Sequence, residues 1–237
     1  MFEKEQFLAD LDTFIRFKTC VDQNRNYFDA ARAWIKRFFA DDKIDILELT
    51  YNNYTNLLIK PHESRAPKLI GDGHIEVVPA EEQLFELRRK DGLLFGRGVA
   101  DMKTQCLMMM TVLREVVEQN NHNDFWLLFS EDEEVGSYNG VRRVVEYLSE
   151  QNWMPELVFV PDGGPDFAYV EKEKGMITFS VTIQGQAAHG SRPFLGVNAI
   201  EQAFAFHEAL REQFPNPKDE EKWVPSLAMT TISGGGN

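Results

Sequence analysis

The sequence is poor in cysteine. Of 237 residues only Cys20 and Cys106 carry thiols, far apart and without a CxxC partner. A disulfide framework is therefore not expected, and the pair reads as buried, reduced thiols of a chain in a reducing compartment. Basic residues are also in deficit: 25 Lys and Arg stand against 38 Asp and Glu, a formal net charge of −13. Such a chain offers no cationic field for a phosphate backbone, which argues against a nucleic-acid partner. No stretch approaches the ~20 apolar residues of a membrane span, so no membrane partner is expected. The opening Met1-Phe-Glu-Lys-Glu-Gln lacks both a basic n-region and an apolar h-region, so no secretory signal is expected and the cytoplasm is the expected compartment.

What is present is the composition of a soluble globular chain. Apolar residues make up 43%, aromatics 12% and charged residues 27%, enough for a real core. At ~150 residues per domain the length predicts between one and two domains. Phe7, Leu8, Leu11, Phe14 and Ile15 recur at helical spacing, and a second helix is predicted over Asn26–Ala40. The period then shortens. Strands are predicted at Ile44–Thr50, Asn56–Lys60 and Lys68–Gly73, and a hairpin over Glu86–Phe95 with its turn at Asp91-Gly92. Helices over Lys103–Gln119 and Ser137–Gln151 alternate with buried-strand runs at Phe125–Ser130 and Leu157–Val160. Strands alternating with helices predict an α/β fold with a mostly parallel central sheet flanked by helices. After about Gly175 the texture changes. Met176–Gln184 alternates like a half-exposed strand, Val197–Phe214 is an amphipathic helix, and Ser226–Ser233 reads as a strand, the start of a second, α+β domain. The predicted division is 1–174 and 175–237.

Chemistry gathers behind the apolar strands. His74 and Glu76 follow LIGDG, the run Glu131-Asp132-Glu133-Glu134 directly follows FWLLFS, and Asp162 follows LVFVP. In an open parallel sheet, ligands bind beyond the carboxyl ends of the strands. Those ends would deliver His74, Glu133, Glu134 and Asp162 to one rim. Asp101 sits in a glycine-rich loop (GRGVAD) before the Lys103 helix and can reach the same rim. Carboxylates brought together repel and lose hydration, and a divalent cation is the simplest way to stabilise the set. One imidazole with several carboxylates suits Zn²⁺, and also Mn²⁺ or Co²⁺. His62, His122 and His207 fit no such pattern and read as surface or helix-side residues. Ser191 lacks a GxSxG elbow and is not a nucleophile candidate.

Five segments together carry a family resemblance. GHIEVVP (Gly73–Pro79), GRGVADMK (Gly96–Lys103) and SEDEEVGS (Ser130–Ser137) resemble the first three metal motifs of the M20 metallopeptidases, co-catalytic zinc aminoacylases, desuccinylases and carboxypeptidases. VPDGG (Val160–Gly164) matches the next ligand position, and GQAAHGSRP followed by GVNAI (Gly185–Ile200) resembles the start of their lid, or dimerisation, domain. The resemblance implies that His74 ligates one metal, that Asp101 bridges two, that Asp162 completes the first site and that Glu134 binds the second. It implies Glu133 as the general base and His189 as a lid histidine that reaches a neighbouring subunit's active site and steadies the oxyanion. It further implies up to two zinc ions per site, a small-molecule substrate such as an N-acyl amino acid or dipeptide, and a homodimer formed through the lid.

Two departures from the family pattern stand out. Glu76 occupies a position where the family usually has Asp, which there orients the imidazole; the carboxylate of Glu76 is expected to bond to the ring nitrogen facing away from the metal. The family's last metal ligand, a histidine beyond the lid, has no counterpart before Asn237. The chain therefore reads as part of a longer enzyme, expected to hydrolyse little by itself. The alternative is a non-catalytic metal-binding or dimerisation fragment.

Overall fold

The computed structural model describes residues 3–21, 25–40, 43–119, 123–162, 168, 170–218 and 223–234. It divides into two compact units, Met1–Ala168 and Tyr169–Asn237, each described by itself.

The first unit begins with helices α1 (Lys4–Arg16) and α2 (Asn26–Phe38) and the strands β1 (Ile44–Tyr51), β2 (Tyr54–Pro61) and β3 (Leu69–His74). A small hairpin, β4 (Arg88–Lys90) and β5 (Leu93–Phe95), turns at Asp91-Gly92 as predicted. It is followed by α3 (Lys103–Glu118), β6 (Phe125–Ser130), α4 (Val141–Glu150) and β7 (Leu157–Phe159). The main sheet has the order β1-β2-β6-β3-β7. β3 pairs in parallel with both β6 and β7, and β2 pairs antiparallel with β1 and β6. Four of the five strands thus run the same way and β2 alone is reversed.

Both faces of this sheet are covered, which explains the unbroken apolar runs. Alternate residues of β2 and β6 enter different cores. Leu57, Ile59, Leu127 and Phe129 pack with α1, α2 and α3, through residues such as Phe14, Ile35, Leu107 and Leu113. Leu58, Trp126 and Leu128 pack with Val144 and Leu148 of α4. The two thiols, Cys20 and Cys106, are buried and not joined to each other. Among the described residues, no helix is long and apolar enough to cross a membrane.

Helix α4 starts later than the pattern predicts. The amides of Ser137 and Asn139 are already taken by Asp132, whose carbonyl and Oδ2 accept them at 2.7 Å each. Those residues form a turn, and the helix begins only at Val141. In the second unit the helix α5 (Ala199–Gln213) is present, capped by Asn198, whose side chain accepts the amides of Ile200 and Glu201. The expected strands at Met176–Gln184 and Ser226–Ser233 are not formed. Alternation predicts a one-sided pattern, but a strand needs a neighbouring ladder. Among the described residues the only pairing in this unit is an isolated bridge between Gln186 and Val197.

The packing of α3 on β3 is what positions the site. A Cβ at Gly71 would lie 2.7 Å from the Met109 sulfur, and one at Gly73 would lie 2.8 Å from the Cys106 sulfur. Glycine at both positions lets α3 lie directly on the strand that ends in His74. Gly73→Ala is expected to cost ~1–3 kcal/mol through overpacking. Urea unfolding of the variant checks it, and an unchanged midpoint would mean that α3 can shift freely.

Candidate metal centre

His74 ends β3, and its side chain is only 1% exposed. Its Nδ1 lies 3.0 Å from the carbonyl oxygen of Glu76, a pure acceptor, so Nδ1 carries a proton and donates it there. That leaves Nε2 facing the rim, where Asp101 Oδ1 lies 2.9 Å away and Glu133 Oε2 3.9 Å away. The carboxylate of Glu76 is therefore not the main partner of the ring. Its Oε2 stands 3.7 Å from Nδ1, and its Oε1 accepts the backbone N–H of Glu134 at 3.1 Å. Glu76 is fully buried, and its Oε2 has no hydrogen-bond partner.

Ligand atoms of His74, Asp101 and Glu134 lie within 4.8 Å of one another, as do those of His74, Glu76 and Glu133. Asp162, just past β7, has its carboxyl in hydrogen-bond contact with that of Asp101. His74 is common to the two groups, with Asp101 and Glu133 on the Nε2 side of its ring and Glu76 on the Nδ1 side; Asp162 joins through Asp101. The peptide between Asp101 and Met102 is cis. His189 belongs to the second unit, where it is exposed. Its Nδ1 accepts the Ser191 N–H at 3.2 Å and lies 2.9 Å from Ser191 Oγ, so the neutral ring carries its proton on Nε2. Of the other histidines, His62 is exposed beside Asp45, His207 is half-buried on α5, and His122 lies outside the described residues.

The electrostatics are those of a site short of positive charge. Burial raises the pKa of Glu133, with Glu134, Glu76 and Asp162 adding to it and His74 opposing. Glu134 and Asp162 are raised for the same reasons, burial first and Asp101 next. Asp72, two residues before His74 on β3, is pushed by burial to about 7. At His74 burial disfavours the charged ring, but the carboxylates of Glu76, Glu133 and Asp101 outweigh it, and its pKa rises from 6.5 to about 10. A charged imidazolium offsets part of the negative charge of the cluster. An imidazole nitrogen facing carboxylate oxygens, with an unpartnered buried carboxylate oxygen behind it, is a donor set that fits zinc, cobalt or manganese.

Several supporting residues escaped the pattern reading. Lys103, the first residue of α3, is fully buried and donates to the carbonyls of Phe14 (3.1 Å) and Phe17 (2.6 Å) at the end of α1. Burial lowers its pKa from 10.5 to about 7. Cys106 Sγ lies 3.4 Å from the carbonyl of His74. The acidic run divides: Glu133 and Glu134 face the rim, whereas Glu131 and Asp132 are buried. A lysine opening an apolar helix and a four-acid run on a buried strand were the available signals.

Residues 71–164 match the peptidase family M20/M25/M40, and residues 172–237 match a peptidase dimerisation domain. The chain belongs to the M20 peptidases, a class of metal-dependent hydrolases. It is similar to a probable succinyl-diaminopimelate desuccinylase of Staphylococcus epidermidis, 28% identical over 230 residues, covering 93% of this chain and 54% of that protein. It is also similar to a succinyl-diaminopimelate desuccinylase of Coxiella burnetii, 30% identical over 186 residues, covering 73% and 50%. The chain spans about half the length of the curated relatives it matches. Among solved structures, human carnosine dipeptidase 1 aligns with a TM-score of 0.59 at 15% identity, over 68% of this chain and 39% of that one. The aminopeptidase PepT of Bacillus cereus aligns with 0.53 at 18% identity, over 90% and 57%. These two likenesses concern the fold.

Zinc binding at pH 7 is expected to displace the proton held between His74 and its carboxylates. Calorimetry in buffers of different ionisation enthalpy should read a release of about one proton per zinc. The proton competes with the metal below the His74 pKa of about 10, so affinity should rise with pH up to that value. Heats independent of the buffer would show that the metal-free ring is neutral.

Proposed function

We propose that the chain carries the metal-binding and proton-transferring part of a hydrolase that cleaves the amide bond of a small N-acyl amino acid or dipeptide. The observation that supports this reading most is the grouping of His74, Asp101 and Glu134 within 4.8 Å, with Glu133 beside them and partly open to solvent. His74, Asp101 and Asp162 would hold one cation, and Asp101 with Glu134 would hold a second. Zinc is the metal we assign, with cobalt or manganese as substitutes. When bound, it lowers the pKa of water and polarises a carbonyl oxygen.

The protein's own groups do the rest. Glu133 takes the proton of the attacking water as the water oxygen adds to the amide carbon. It returns that proton to the nitrogen as the C–N bond breaks, leaving a carboxylate and an amine. Glu76 holds the His74 ring through its carbonyl and the Glu134 backbone through its carboxylate, so it orients both. His189, with its Nε2–H kept as the donor by Ser191, is assigned to the oxyanion in a neighbouring subunit. The match to a dimerisation domain supports a homodimer formed through the second unit. A reducing cytoplasm suits two buried thiols that form no disulfide.

In the complete reading frame, Glu133→Gln is expected to retain zinc and lose ~10²–10⁴-fold in kcat, the usual worth of a general base. The assay is a panel of N-succinyl and N-acetyl amino acids and dipeptides, with metal content measured on the same sample. Normal turnover by a fully loaded variant would overturn the assignment.

A further inference from the structure

We propose that Glu131 is a positioning residue: its buried ion pair with Arg25 and Arg32 holds the turn that carries Glu133 and Glu134, and through that turn it controls cation affinity. The inference rests on the reading of Glu134 as a ligand.

Glu131 is fully buried, and both of its oxygens are used. Oε2 accepts Arg25 Nη2 at 2.5 Å and the backbone N–H of Thr55 at 3.0 Å, while Oε1 accepts Arg32 Nη1. Arg25 is itself fixed. Its Nη2 also donates to the Asn53 carbonyl at 2.5 Å, and its guanidinium lies 4.2 Å from the ring centre of Phe28 and 5.2 Å from that of Tyr54. The carboxylate thus ties three elements together: the start of α2, the tip of the β1–β2 hairpin, and the end of β6.

On the far side of Glu131 the chain is clamped again. Asp132 holds the amides of Ser137 and Asn139, and a Cβ at Gly140 would collide with Asp132 Oδ1. Asn139 is bonded in turn to the hairpin, through its Oδ1 to Asn52 and through its carbonyl to Asn56. Between the clamps lies a single 3-10 turn, Glu133–Val135. The two carboxylates on it lie near Glu76, Asp101 and Asp162, all of the same sign, so repulsion among them opposes the inward position of the turn. A buried ion pair is an inefficient source of stability, because desolvation offsets its attraction, but two guanidinium groups on one carboxylate fix direction well. The pair is placed where direction matters, two residues before Glu133, read as the base, and three before Glu134, read as the ligand.

The test uses the Met1–Asn237 chain and zinc alone. Glu131→Gln keeps the size of the side chain and an oxygen for Thr55 but removes the charge. Its zinc dissociation constant should rise ~10–100-fold, the usual effect of a residue that orients a ligand, at temperatures where circular dichroism shows the chain folded. Arg25→Lys, at a partly exposed position, should move the constant in the same direction by less, and it decides the matter if Glu131→Gln does not fold. A merely structural pair would lower the melting temperature and leave zinc affinity alone, and that result would overturn the proposal. Glu134→Gln separates two failures. Weaker zinc binding there, with none in Glu131→Gln or Arg25→Lys, overturns the positioning role only. Unchanged binding in all three overturns the ligand assignment and the positioning role with it.

Discussion

One contact organises the site: the Nε2 of His74 and the Oδ1 of Asp101, on different elements, lie 2.9 Å from each other. His74 ends a strand and Asp101 comes just before a helix, so their separation is the separation of β3 and α3. That distance is short because the strand presents glycine to the helix at positions 71 and 73, and the helix answers with the soft side chains of Met109 and Cys106. Lys103 holds the same end of α3 to the end of α1 by two hydrogen bonds to carbonyls. Helix, strand and N-terminal helix are therefore locked together where His74 and Asp101 meet.

The remaining carboxylates are arranged around that pair against their own repulsion. Burial and like charge together raise the pKa values of Glu133, Glu134 and Asp162. Such a grouping favours positive charge, of which a proton on His74 supplies one unit. The backbone supplies the rest of the restraint: the Glu76 carbonyl for the ring, and the Glu76 carboxylate for the Glu134 amide.

Much of this was legible in the chain. FWLLFS could be read as a strand buried on both faces because its neighbours in sequence face opposite cores, and the residues after such strands reach the rim by the geometry of parallel sheets. Where the reading stopped has physical causes. Helical periodicity extends back to Ser137, but hydrogen bonds to Asp132 are local competition that periodicity does not register. Alternation at Met176–Gln184 describes one face of a strand and says nothing about a partner. The different fates of Glu131 and Glu133 depend on Arg25, Arg32 and Thr55, whose approach is a fact of tertiary structure, and Lys103 resembles any surface lysine until α1 is seen against it.

The ion pair of Glu131 also bears on the order in which the protein assembles. Its arginines lie 106 and 99 residues earlier in the chain. During synthesis Arg25, Arg32 and the β1–β2 hairpin emerge first, and they must remain solvated until β6 arrives with its carboxylate. Contacts of such long range are made late and slowly, after the loop between them has been closed. β6 is also the strand that joins the hairpin to β3, so its insertion links the two parts of the sheet, buries the waiting charges and brings Glu133 and Glu134 to the rim. A nascent chain that has not reached residue 131 lacks the strand that joins the hairpin to β3, and β7 and Asp162 are added after it.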